Sequence, residues 1–407
     1  MKLGVFAIGL GLIALTVLSQ LRGARWWIRF SDFPRFQIAV LIALVGLAHA
    51  VSFDTSSPLD IGFGFGFALA GSLAYQALRI FPYTPLAARQ IRDASPGNGA
   101  RALRILIANV LMENRRDGDF VLLVRETDPD LILAVETDAW WDERLRVLDV
   151  DYPHALKRPQ GNHYGMHLLS RLELEAATLR FLVEDDIPSI RTTVRLRSGE
   201  SVEFFGLHPR PPEPQQDTEE RDAELLIVGR EVKEHGGPAI VAGDLNDVAW
   251  SKTTRLFQEA SGMLGPRQGR GMFSTFHADY PMFRCPLDHV FHDGAFTLVR
   301  LQRLRSIGSD HFPVLAGAAA GAGGRSGGTG AGPRRSRGRA GAYRRGAGGG
   351  AARQSLDAER PGKADNDAKL EALLGQETEL QAVAPVSSLV RENLWTRRRQ
   401  RRRCPCA

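Results

Sequence analysis

The sequence predicts an α/β domain of mixed β-sheets behind a group of membrane-spanning helices, on three observations. From Arg101 onward, short apolar runs alternate with amphipathic stretches. Between residues 178 and 207, neighbouring apolar runs are joined by tight polar links such as Arg197-Ser198-Gly199-Glu200. Such links mark hairpins, so the sheets are mixed and not purely parallel. Before residue 83, three long stretches are nearly free of charge.

Residues 3–21, 36–53 and 61–81 each come close to the ~20 apolar residues that span a bilayer. A cleaved signal peptide is the competing reading of the first. No small-x-small cleavage site follows it, however, and two further apolar stretches do. The connector behind the first stretch holds Arg22, Arg25, Arg29 and Arg35 with the pair Trp26-Trp27, whereas the loop behind the second holds Asp54 and Asp60 and no Lys or Arg. The positive-inside rule puts that connector, and the domain behind the third helix, in the cytoplasm. Lys2 and the amino terminus favour an N-in start, which with three spans puts the domain outside. The charge count favours the cytoplasmic side.

Strands are expected near 103–109, 131–136, 166–170, 178–183, 190–197, 201–207, 239–243 and 287–291. Helices are expected near 117–127, 138–148 and 217–235, the last with Leu225, Leu226, Val228, Gly229 and Val232 on one stripe. From Ala316 to Ala352 the chain is almost wholly Gly, Ala, Arg and Ser, too poor in large apolar groups to offset chain entropy. It is read as a disordered basic tail that cuts the last strand short, a change abrupt enough to fit a shifted reading frame. The expected organisation is thus a membrane part (1–82), a linker (83–100), one catalytic domain (101–318) and a tail (319–407).

The net charge of +6 does not imply a basic catalytic face. Residues 319–407 hold 18 Lys and Arg against 8 Asp and Glu, a net +10 that leaves residues 1–318 at −4. The run Arg397 to Arg403 is a solvated charged end or a contact for acidic lipid or nucleic acid. With only Cys285, Cys404 and Cys406 there is no disulfide framework, and Cys404-Pro405-Cys406 lacks the spacing and companions of a zinc site.

Chemistry concentrates at strand ends. The apolar run Pro238 to Gly243 delivers Asp244 and Asn246, which on an extended segment would point the same way. Glu136 ends the apolar run Asp130 to Val135, where an unpaired carboxylate is costly and a hard cation is its natural partner. Asn109 ends Ile105 to Ala108 and is a neutral oxygen donor or a strand-end cap. His208 follows Phe204 to Leu207, Asp288 follows Pro286-Leu287, and Asp310 and His311 follow Ser309.

In this order the six motifs resemble the endonuclease/exonuclease/phosphatase superfamily, the fold of DNase I, in a membrane-anchored bacterial-type form. The resemblance spans residues 101–318 and implies a four-layer sandwich: two packed mixed β-sheets flanked by helices. It implies Mg²⁺, or Mn²⁺, held by Asn109, Glu136 and Asp310. It implies that Asp244 orients or deprotonates the attacking water and that Asn246 positions the water or the phosphate. His311, oriented by Asp288, would contact the scissile phosphate, and His208 would act near the leaving oxygen. Whether the base is Asp244 or the His311–Asp288 pair stays open.

The expected function is a membrane-anchored, divalent-metal-dependent phosphoesterase acting on a phosphodiester of nucleic acid or of a lipid head group. An integral protein of the bacterial inner membrane is expected, with the bilayer and the phosphate ester as its partners and no protein partner indicated. The alternative is a non-catalytic membrane-tethered binding module, which predicts erosion at the metal or histidine positions. Asn162, His163 and Gly165 are read as a loop beside the site, Arg210 as a phosphate reader or a solvated arginine, Trp140 and Trp141 as core, and His289 and His292 as packing.

Overall fold

A computed structural model describes residues 2–21, 23–52, 61–95, 99–214 and 216–321. The loop with Asp54 and Asp60, Arg22 and the tail from residue 322 lie outside them. Four helices come first: α1 (Lys2–Leu18), the short α2 (Trp26–Phe30), α3 (Arg35–Ser52) and α4 (Ile61–Ile80). The remainder is a sandwich. One sheet contains β1 (Ala102–Asn109), β2 (Leu131–Val135), β3 (His154–Arg158), β4 (Met166–Ser170), β10 (Phe296–Arg303) and β11 (Val314–Ala320), in the order β10-β11-β1-β2-β4-β3. The other runs in sequence order through β5 (Leu174–Arg180), β6 (Ser189–Arg195), β7 (Ser201–Leu207), β8 (Ala239–Asp244) and β9 (Asp288–His292).

Each sheet holds one parallel pair, β1 with β2 and β7 with β8, and every other pairing is antiparallel. The two-residue period of a strand explains the layers. Leu103, Ile105 and Ile107 of β1 face Phe204, Ile240 and Ala242 of the second sheet, forming the central core. Leu106 and Ala108 face outward beneath α5 (Asp117–Thr127) and α6 (Ala139–Leu145). Phe205 and Leu207 of β7 likewise face outward beneath α7 (Glu219–His235) and α8 (Lys252–Ser261).

Local chemistry sets the helix ends. Asp138 Oδ1 accepts from Trp141 N at 2.9 Å to start α6, and Ser251 Oγ accepts from Thr254 N at 2.9 Å to start α8. Trp141 is fully buried, as expected.

The early end expected for the last strand is corrected. All seven residues of β11, Val-Leu-Ala-Gly-Ala-Ala-Ala, are buried between β1 and β10, so the folded part runs beyond residue 318. Small side chains fit there for a reason. β10 bulges between Leu298 and Arg300, and a Cβ on Gly317 would meet Val299 Cβ at 3.2 Å. Also unexpected are β3, β10 and α8, while β5 starts and stops earlier than the run 178–183.

The helical part differs from three full spans. Residues 3–21 and 61–81 are helical over most of their length, but among the described residues only α3 combines the length and apolarity of a span. The three long helices pack through Leu12, Ile38, Ile42, Phe65 and Leu69. The expected linker is fastened to the sandwich: Ala94 N donates to Leu298 O at 2.8 Å, and Gly265 N to Gln90 Oε1 at 2.8 Å. Residues 1–321 form one compact unit.

The central position of β11 makes it indispensable. A chain ended after Gly321 is expected to melt cooperatively in detergent, and one ended after Pro313 to show no cooperative transition. Cooperative melting of the shorter chain would contradict this account of the sheet.

Candidate active site

The site lies where the C-terminal ends of the two parallel pairs come together at one end of the sandwich. Gly243 makes the approach possible: with φ +148 it has a conformation rare for other residues, and a Cβ there would lie 1.9 Å from Leu207 O. The next residue, Asp244, is fully buried. The parallel ladders leave Asn109, Glu136, His208 and Asp244 at four adjacent ends.

Asn109 is the hub. Its Nδ2 donates to Glu136 Oε1 at 2.6 Å and to Asp244 Oδ2 at 3.1 Å, while its Oδ1 accepts from Leu111 N at 3.0 Å. Glu136 Oε2 is buried with no hydrogen-bond partner. Burial, opposed by the Asn109 bond, pushes the Glu136 carboxyl up to about 7. Glu136 itself has φ +62, an unusual conformation for a residue other than glycine.

Asp288 and His311 meet as expected, with Nδ1 2.8 Å from Oδ2. His311 Nε2 then lies 3.6 Å from Asp244 Oδ2. Burial works against an imidazolium here, but the Asp288 and Asp244 carboxylates outweigh it and hold His311 up at about 10. His208 behaves in the opposite way. Its Nε2 is 3.8 Å from Asp244 and 4.0 Å from Glu136, its Nδ1 has no partner, and burial lowers it to about 4. One histidine is therefore a fixed cation and the other a neutral group.

Asn246 needs a correction. It lies past the end of β8 in the left-handed region (φ 49), so it does not share an extended segment with Asp244. An Asx turn causes this: Asn246 N donates to Asp244 Oδ1 at 3.0 Å, and its Nδ2 donates to Pro209 O at 3.0 Å. Asp310 is half-buried, with its carboxylate 3.3 Å from Ser309 Oγ and its backbone oxygen accepting from Ala278 N at 2.6 Å. Arg210 is engaged by Glu184 at 3.0 Å, His163 by Glu113 at 2.7 Å, and His289 by Asp247 O at 2.8 Å. His292 packs edge-on to Phe296.

Several supporting residues carried no readable signal. Ser309 Oγ donates to Asn109 O at 2.8 Å and accepts from His311 N at 3.0 Å, tying the two motifs together. Thr275 Oγ1 accepts from Asp288 N at 3.3 Å, and the Phe276 ring lies 5.0 Å from that of His311. Buried Arg221 donates to Asn246 O at 2.7 Å. These contacts join positions far apart in the chain, which short motifs do not reveal.

The donors fit a cation. Asp244, Asp288 and His311 offer ligand atoms within 4.8 Å of one another, but the Asp288–His311 bond already occupies two of them. The unpartnered Glu136 oxygen beside Asp244 is the stronger indication of where positive charge belongs. Asn109 faces the same point with its Nδ2 while Leu111 N holds its Oδ1, so its oxygen serves an ion only if that bond is released. An all-oxygen set of this kind suits a hard divalent ion.

A two-sheet sandwich with carboxylates, an amide and two histidines at its seam defines a hydrolase-type site. Residues 106–311 match the Endonuclease/Exonuclease/phosphatase family, and the chain belongs to it. A UPF0294 protein of Vibrio parahaemolyticus is 32% identical over 231 residues, covering 54% of this chain and 80% of that protein. Two solved structures are similar. Humanised D. rerio TDP2 is 17% identical with TM-score 0.46, over 54% of this chain and all of that one. An endonuclease/exonuclease/phosphatase from Beutenbergia cavernae has the same identity and score, over 54% and 72%.

The 2.8 Å Asp288–His311 contact predicts that the two residues act as a unit. His311→Ala and Asp288→Ala are each expected to lower turnover of a phosphate ester severely, and the double variant to be little worse than either. Independent multiplication of the two effects in this double-mutant cycle would contradict the pairing.

Proposed function

We propose that the protein is a membrane-anchored, divalent-metal-dependent phosphoesterase that hydrolyses a phosphodiester of nucleic acid or of a lipid head group by attack of water. The buried, unpartnered Glu136 oxygen beside Asp244 carries this reading. Glu136, Asn109 and Asp310 would hold Mg²⁺, with Mn²⁺ as a substitute, and the ion when bound would polarise a phosphoryl oxygen. Asp244, kept ionised by the neighbouring His311 cation despite its burial, accepts a hydrogen bond from the attacking water. Asn246 holds the rim through Pro209. His311, fixed by Asp288, places positive charge where a phosphoryl oxygen arrives, and neutral His208 stands ready to donate a hydrogen bond toward the leaving oxygen. No metal-side or histidine position is eroded, which favours catalysis over a binding-only module.

Anchoring rests on α3 and the apolar α1 packed against it. Two connector arginines have structural partners: Arg29 pairs with Asp222 at 3.2 Å, and Arg35 pairs with Asp32. Their charge is therefore spent within the fold, which weakens the charge count for a cytoplasmic domain.

The test is a substrate panel on the detergent-solubilised full chain with Mg²⁺ or with chelator, spanning nucleic acid, phospholipid and inositol phosphates. Hydrolysis is expected only with metal. Glu136→Gln should lower it by about two orders of magnitude, with partial rescue at raised Mg²⁺. Full activity of that variant at low Mg²⁺ would overturn the assignment.

A further inference from the structure

One loop joins the catalytic histidine to the helical part and is not used by the chemistry above. Residues 277–284 project from a base closed by an antiparallel pairing of Phe276 with Cys285, and Phe276 also pairs with His311. The base therefore sits on the site. The tip is apolar and bare, with Tyr280 58% exposed, Met282 73% and Phe283 68%. These three residues lie together on and beside the single turn Pro281–Phe283. Side chains of this kind and size, adjacent and uncovered, indicate an interaction surface.

The position of the tip identifies what covers it. Gln37, in the first turn of α3, donates through Nε2 to Met282 O at 2.8 Å and to Arg284 O at 3.4 Å. The tip is thus held at the domain-side end of the helix that best meets the requirements of a span, beside the half-exposed Phe36. Behind the apolar tip come two arginines. Arg284 and Arg303 both lie over the Phe312 ring, at 4.9 and 4.5 Å, next to His311. Neither forms an ion pair among the described residues, and each donates only to backbone oxygens, Ala278 O and His277 O for Arg284 and Ser274 O for Arg303. Asp279 is the one carboxylate on the projecting segment. Apolar tip residues backed by guanidinium groups that have no carboxylate partner among the described residues match the layering of an anionic bilayer, acyl chains first and phosphates above them.

We propose that residues 277–284 form a wedge inserted into the bilayer that holds the chain's own helices, and that the substrate is a phosphate ester in the head group of an acidic lipid of that bilayer. This rests on the phosphoesterase reading of the site. The wedge fixes the height of the His311 side of the site above the membrane. Arg284 and Arg303 hold the lipid phosphate region at its mouth. A lipid head group reaches the site by lateral diffusion, whereas nucleic acid would meet an apolar rim and an anionic membrane beneath it.

The test uses the full chain in liposomes containing phosphatidylglycerol or phosphatidic acid. Met282→Ser/Phe283→Ser is compared with the unmutated protein on three substrates: the liposome lipid, water-soluble bis(p-nitrophenyl) phosphate and a single-stranded oligonucleotide. The double variant is expected to lose about tenfold or more on lipid while staying within about twofold on the soluble ester. An equal loss on both, no loss on lipid, or oligonucleotide as the preferred and unaffected substrate would overturn the proposal. A second measurement needs no activity. A tryptophan introduced as Phe283→Trp should be quenched by lipids brominated near the head group, and no quenching beyond the parent protein would remove the wedge. If the unmutated chain cleaves no ester, the phosphoesterase reading falls and the lipid substrate with it, while quenching still decides whether the loop enters the bilayer.

Discussion

The arrangement of two carboxylates around one asparagine amide is the constraint on which the rest depends. Glu136 and Asp244 end strands of different sheets, and the sandwich brings both against Asn109 in a buried place. Like charges at that spacing, away from water, raise the free energy of the folded chain unless something positive joins them. The protein supplies part of the positive charge itself, as the His311 cation pinned by Asp288 and as the amide hydrogens of Asn109. One oxygen of Glu136 is still left over. The surrounding structure makes sense as support for this imbalance: Gly243 lets two strands close up, Ser309 ties β1 to His311, and Arg221 clamps the turn that carries Asn246.

The helical part is joined to this site and does not simply trail from it. Trp250, four residues after Asn246, donates through Nε1 to Asp32 O at 2.7 Å, and its own carbonyl accepts from Arg79 at 2.7 Å. Tyr83 packs with Val248, Ala249 and Trp250 and donates to Ala249 O. The segment leaving the Asn246 turn is thus packed and hydrogen-bonded against residues of the helical part. Shift of the helices would be felt at Asn246 through a few rigid, buried contacts.

Much of this was legible in the sequence, for physical reasons. Strand ends rich in Val, Ile, Leu and Phe, each followed by one polar residue, give both the strand and the site residue, as at Leu131 to Glu136. The eight expected site residues all come to the same end of the sandwich. Illegible were features without a local signature. β11 is an Ala-Gly strand whose burial comes from neighbours β1 and β10, so its composition reads as disorder. The geometry of Asn246 depends on a hydrogen bond made by Asp244, not on strand period. The anchoring of residues 83–95 rests on contacts with residues more than 160 positions away, such as Ala94 N to Leu298 O and Tyr83 to Ala249 O, which no local pattern announces.

The central claim, that the carboxylate pair at Asn109 is a cation site, is tested most directly by thermal unfolding of the detergent-solubilised chain against Mg²⁺ concentration. Anything bound to the folded form alone raises the midpoint as its concentration rises above the dissociation constant. The account expects such a rise for the unmutated chain. It expects Glu136→Gln to start no lower without metal, because the repulsion with Asp244 is relieved, and to rise only at much higher Mg²⁺ than the unmutated chain needs. An unmutated chain indifferent to Mg²⁺, or a variant that responds as strongly, would contradict it.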